Sequence, residues 1–230
     1  MPTLCINTAG HLNTVAIVKN GECLAEENWQ SQRNETETIL EKIALILKNS
    51  ETKIEEIEAL NVVQGIGGFT SLRVGITVAN TIAYAQKIPI YATSVFELWA
   101  HRLQIQNAKI AIIVDAGRNE CFYFSASSSK LQVSSFKVPL EKGNTGGFYN
   151  PKIIPNTQLS NLEEKFWIGE ISEKQRLLLS KNCQELNELK SPGAAFAEMD
   201  LSEKKACEIL EPWYGREPNV SEPKKSKHEV

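Results

Sequence analysis

Residues 65–75 read Gly65-Ile66-Gly67-Gly68-Phe69-Thr70-Ser71-Leu72-Arg73-Val74-Gly75, a glycine-rich turn between an apolar run, Ala59 to Val63, and a long helical stretch. Glycine tolerates positive φ and close backbone approach, so such a strand-turn-helix can gather N–H groups at a helix N-terminus and cradle an anion. Two nucleotide motifs are nevertheless excluded. A phosphate-binding P-loop needs a lysine followed by Ser or Thr after the second glycine, and no lysine stands here. The dinucleotide fingerprint needs a sixth-position glycine and an acid about twenty residues on, where this chain has Thr70 and Ile90-Tyr91. Gly65, Gly67 and Gly68 are therefore read as structural glycines that let a strand and a helix pack tightly.

The 230 residues allow one large or two small domains, and 42% hydrophobic with 23% charged residues is ordinary for a globular chain. A net charge of -3 gives no general attraction to nucleic acid. The clustered lysines, Lys224, Lys225 and Lys227, lie in a polar end segment. Five scattered cysteines without CxxC spacing suit a reducing compartment. With no leader-like opening and no apolar run near twenty residues, a cytoplasmic protein is expected.

Strand-like runs at Thr3–Asn7, Thr14–Val18 and Glu22–Trp29, with Asn20-Gly21 as a hairpin turn, open the chain. Asn34 as N-cap with Glu37 three residues on predicts a helix to about Asn49 whose apolar face carries Ile39, Leu40, Ile43, Ile46 and Leu47. The Ala59–Val63 strand, a helix over 70–86, a short strand at Ile90-Tyr91 and a capped helix from Ser94 to Leu103 follow. Strands at 109–114 and 120–125 flank Asp115-Ala116-Gly117-Arg118 and begin a second domain. Residues 141–162 read as irregular, the stretch to Leu210 as modest helices, and Gly215–Val230 as too polar to fold. The expected division is 1–98, 99–214 and a disordered tail at 215–230.

Cys5-Ile6-Asn7-Thr8-Ala9, the Gly65–Gly75 segment, Asp115 to Tyr123, and Pro212-Trp213-Tyr214 with Glu217-Pro218-Asn219-Val220 together resemble the TsaB (YeaZ) family. The family's glycine motif is close to G-x-G-S-F-T-G-L-R-x-G, from which this chain departs at Gly68 and Ser71. The resemblance implies an α/β fold of two domains, of the actin-like, sugar kinase and Hsp70 ATPase (ASKHA) type, with mixed sheets flanked by helices. It also implies a non-catalytic subunit in making N6-threonylcarbamoyladenosine beside the tRNA anticodon. The implied partners are a catalytic TsaD-like subunit, a TsaE-like ATPase, a second copy of the chain when alone, and tRNA only through the complex, with no membrane.

The residues agree with a chain that lacks its own chemistry. Active members of this fold carry an aspartate at the end of the first strand, where this chain has Asn7, and a neutral amide offers Mg²⁺ no charge. Asp115 holds the equivalent place in the second domain, as a metal or water contact or simply as the start of a turn with Gly117 at positive φ. Lys19, Arg73 and Arg118 are the cations within reach of a phosphate on paper. No metal is expected, because His11, His101 and His228 are far apart without an HExxH or HxxxH pair, and neither that motif nor a Gly-x-Ser-x-Gly elbow supports a peptidase. No tightly bound cofactor is expected, with weak contact to a nucleotide, ATP with Mg²⁺, left open at the complex interface. An independent ATP-dependent phosphotransferase of the same fold, or a homodimer of unrelated role, are the alternatives.

Gly75, Ala79 and Ala83 recur every four residues on the 70–86 helix, with Leu72 and Ile76 beside them. A stripe of small side chains lets another element approach closely. That element is either the chain's own sheet or a helix of a second subunit. The resemblance favours the second, with Leu40, Ile43, Leu47, Leu72, Gly75, Ile76, Ala79 and Ala83 as the expected partner interface.

Overall fold

The computed structural model describes residues 1–32, 34–105, 108–127, 151–179 and 183–215. The tail 216–230 and residues 141–150 of the expected irregular region lie outside them. The chain opens with β1 (Thr3–Asn7), β2 (Leu12–Lys19) and β3 (Glu22–Gln30), joined by a hairpin in which Asn20 and Gly21 both take positive φ, 52° and 80°. Helix α1 (Glu35–Asn49), β4 (Ala59–Gly65), α2 (Phe69–Gln86) and β5 (Ile90–Ser94) complete the first unit. α1 does begin beside Asn34, but that side chain makes no capping bond. α3 (Val95–His101) is capped as expected: the Ser94 hydroxyl accepts the Glu97 N–H at 3.0 Å.

The second unit holds β6 (Lys109–Gly117), β7 (Glu120–Ser127), β8 (Lys152–Pro155), β9 (Phe166–Glu170), α4 (Glu173–Leu179) and β10 (Gln184–Glu185). Two expectations are corrected here. Residues 152–155 form an edge strand rather than irregular chain, and the stretch to Leu210 contributes β9, which lies between β6 and β10, instead of helices alone.

The two sheets share one plan. In the first, the spatial order is β3-β2-β1-β4-β5; in the second, β8-β7-β6-β9-β10. In each, the first strand is antiparallel to the second and parallel to the fourth. The chain then returns. α5 (Pro192–Ala197) packs on β2 and β3, and β11 (Ala206–Cys207) pairs with β5 as a sixth strand of the first sheet. The expected second unit at 99–214 thus gives its last part back to the first. Lys204 fastens this return, its ammonium 2.6 Å from the buried Glu97 carboxylate and 2.8 Å from the Thr93 hydroxyl.

α1 and α2 lie side by side on the first sheet, α1 over β2 and β3, α2 mainly over β4. Ile39, Ile43 and Ile46 of α1 and Leu72, Ile76, Ala79 and Ala83 of α2 enter a core shared with β1, β2, β4 and β5. The small-residue stripe therefore faces the chain's own sheet. Gly75 shows why: a Cβ there would overlap the Thr8 side chain. A larger residue would lift the helix off β1 and open a void below it.

Candidate functional site

The two units meet at a cleft of about 830 Å³. Its walls are the β1–β2 turn with Gly10 and His11, the glycine turn with Gly67 and Gly68, the end of β6 with Asp115, and Glu170 at the end of β9.

At the β1–β2 turn the Asn7 amide is spent internally. Its Oδ1 accepts the Ala9 N–H at 3.1 Å and its Nδ2 donates to the Leu12 carbonyl at 3.3 Å, so the side chain fixes the turn instead of facing the cleft. The glycine turn abuts it. Gly67 lies so close that a Cβ would overlap the Ala9 backbone, and the Gly68 N–H donates to the Ala9 carbonyl at 3.1 Å. Gly65, at φ 145°, makes room for the carbonyl of Trp213. Gly65, Gly67 and Gly75 thus serve close approach, whereas Gly68, the N-cap of α2, has open space around it.

Asp115 stands exposed on the opposite wall. One carboxylate oxygen accepts the Gly117 N–H at 2.9 Å and the Gln175 side-chain amide at 2.8 Å, the arrangement of an Asp-led turn, with Gly117 at φ 71°. Asn7 and Asp115 are therefore at matching strand ends across the cleft. Of the three cations considered, Arg118 lines the cleft; Lys19 sits at the far hairpin, and Arg73 packs over the Phe69 ring at 3.7 Å while donating to the Tyr214 hydroxyl at 2.8 Å. Among the described residues no group of three His, Cys, Asp or Glu side chains is placed to hold a metal.

A C-terminal strap, which sequence reasoning did not separate from the second unit, runs back along α2 to the cleft mouth. Asn80 exchanges two hydrogen bonds with the Leu210 backbone, the Gln64 side chain donates to the Glu211 carbonyl at 2.7 Å, and the Trp213 N–H donates to the Gln64 carbonyl at 2.9 Å. Tyr214 then stacks on Phe69 with ring centroids 5.1 Å apart. Pro212-Trp213-Tyr214 was the available signal for it.

The expected partner interface needs correction. Ile43, Leu72, Gly75, Ile76, Ala79 and Ala83 are buried in the chain itself and Leu47 is half-buried, because the apolar stripes of both helices are used up on the sheet. Leu40 remains a surface residue, 59% exposed. The outward faces of the same helices carry apolar groups of their own: Leu45 on α1, and on α2 Tyr84, which is 88% exposed.

Two units with repeated strand order around a shared cleft make this a protein of the actin-like, sugar kinase and Hsp70 ATPase architecture. A family model described as TsaD, tRNA N6-adenosine threonylcarbamoyltransferase, matches residues 27–136. TsaB from Bacillus subtilis is 25% identical over 122 residues, 53% of this chain and 53% of that protein. TsaB from Escherichia coli K12 is 29% identical over 125 residues, 54% of each. The chain spans about half the length of the curated relatives it matches. The fold extends further: YeaZ from Pseudomonas aeruginosa superposes with a TM-score of 0.69 at 17% identity, over 93% of this chain and 99% of that one. In sequence over about half of its length, and in fold over nearly all of it, the chain is thus similar to the TsaB (YeaZ) proteins.

Proposed function

We propose that the chain is a non-catalytic scaffold subunit in the synthesis of N6-threonylcarbamoyladenosine in tRNA, docking a TsaD-like catalytic subunit through the outward faces of α1 and α2. The observation that carries this reading is the pair of adjacent helices whose inner faces are fully used while Leu40 and Tyr84 stay uncovered, 59% and 88% exposed. Covering Tyr84, a large aromatic side chain, would contribute about 2–3 kcal/mol, the scale of an interface anchor. The same face takes a second copy when the TsaD-like subunit is absent, a TsaE-like ATPase joins the pair, and tRNA is reached through the complex. Such a complex works in the cytoplasm. No helix among the described residues is long and apolar enough to cross a membrane.

The non-catalytic reading rests on Asn7, whose amide is committed to its own turn. The phosphotransferase reading draws on one observation, the exposed Asp115 carboxylate in a large cleft. Two measurements decide. Tyr84→Arg and Leu40→Arg should melt within a few degrees of wild type yet lose co-elution with the TsaD-like subunit in size-exclusion chromatography. The isolated protein should hydrolyse ATP with Mg²⁺ no faster than buffer. Retained co-elution of both variants would refute the docking face, and turnover near about 1 per second would refute the scaffold.

A further inference from the structure

Glu170 ends β9 beside the end of β6 and reaches out of the second unit onto the first. Its carboxylate accepts the His11 N–H, and the adjacent Leu12 N–H lies near enough to favour its ionised form. Gly10 lies beneath, where a Cβ would overlap the carboxylate. The β1–β2 turn therefore presents two successive backbone donors and a bare glycine to one side-chain oxyanion. Burial pushes the Glu170 carboxyl up, while the His11 N–H and, more weakly, the Arg102 guanidinium favour its ionised form. Gly10, His11 and Glu170 all line the cleft, so the same turn is reachable by a molecule from solvent. Asp115 and Arg118 are the other charged side chains on the cleft wall.

We propose that the β1–β2 turn is an oxyanion-binding cradle filled in cis by the Glu170 carboxylate, which keeps phosphate groups out of the cleft and ties the two units together. A phosphate at this turn would need the donors of His11 and Leu12, which already face Glu170, and would meet a like charge. Taking the carboxylate away leaves these two N–H groups uncovered, the space over Gly10 and the field of Arg102. That set of groups suits a tetrahedral oxyanion, and the glutamate is what excludes it. Exclusion of phosphate at this turn does not depend on whether α1 and α2 dock a partner.

The test uses the full chain, with inorganic pyrophosphate and ATP as probes in calorimetry. Wild type should show no binding up to about 1 mM, and Glu170→Ala should bind pyrophosphate at least about tenfold more tightly, with the His11 and Leu12 amide signals shifting in NMR spectra. Glu170→Gln keeps the shape and an acceptor oxygen while removing the charge, and should gain affinity several-fold; it carries the test if the alanine variant does not fold. Glu163→Gln, an exposed acid on the loop before β9, controls for net charge and should leave binding unchanged. A folded variant that binds no better than wild type, tight binding by the wild type, equal gains in Glu163→Gln, or probe-induced shifts confined to other amides would each overturn the proposal. In the wild type the His11 and Leu12 amide shifts should also follow the ionisation of Glu170, and a flat response would overturn it with no variant needed.

Discussion

His101 closes α3 where it meets the returning C-terminal segment, and it should make the fold sensitive to mild acid. Its Nε2 is buried without a hydrogen-bond partner, and burial followed by the nearby Lys204 ammonium pushes the imidazole down from 6.5 to about 4. The folded state thus holds the neutral ring, while the unfolded chain takes up a proton at the ordinary pH. With the folded value depressed, the stabilisation is fully present above pH 6.5 and is lost as pH falls towards 4. The shift corresponds to at most about 3 kcal/mol over the whole window, of which roughly 2 kcal/mol would be lost between pH 7 and pH 5. Urea denaturation at the two pH values would measure it, with His101→Gln as the comparison. The variant should lose about 2 kcal/mol less than wild type over that interval, whatever its stability at pH 7. Glu97 and Glu170, whose carboxyls are raised by burial, titrate with the opposite sign in both proteins and cancel in the comparison. Equal losses in the two proteins would refute the assignment of a buried neutral imidazole.

Ala79→Arg drives a charge between α2 and its own sheet, since Ala79 is fully buried, and should lower the melting temperature of the isolated chain by about 10 °C or more, or prevent its recovery as a folded protein. Gly65→Ala strains a residue at φ 145° and collides with the Trp213 carbonyl, so the strap should detach at a cost of about 2–4 kcal/mol in urea, accompanied by a change in tryptophan fluorescence. Asp115→Ala removes a turn acceptor for Gly117 and Gln175 and should cost about 1–2 kcal/mol of stability, yet restore threonylcarbamoyladenosine in tRNA of depleted cells to within about twofold of wild type by nucleoside analysis.

The first hundred residues are legible because each signal there is local. The Asn20-Gly21 turn, the Ser94 cap and the four-residue spacing of Gly75, Ala79 and Ala83 all act within one or two turns of chain. The direction of that spacing was not legible. Small residues permit close approach without stating by what, and only the Thr8 side chain beneath Gly75 shows that the sheet is the neighbour. β9 was hidden for a different reason. Phe166 to Glu170 has five residues, one of them Gly169 at φ 133° against the Ile113 backbone, and its strand character depends on β6 lying alongside. Nor could periodicity reveal Glu170 on the β1–β2 turn, because the contact joins residues 159 apart in the sequence.

The return of residues 192–207 to the first sheet also fixes the order in which the molecule can be finished. While the chain is being made, β5 keeps an open edge, the outer side of β2 and β3 lacks α5, and Glu97 has no Lys204, until the whole second unit has been synthesised. A fragment ending near His101 would expose backbone donors along Ile90–Tyr91 and bury an uncompensated carboxylate, so it would not be a self-sufficient module. Nascent chains of this protein therefore pass through a stage in which the earliest strands wait for the latest, and a helper that shields the β5 edge would act during translation rather than after release.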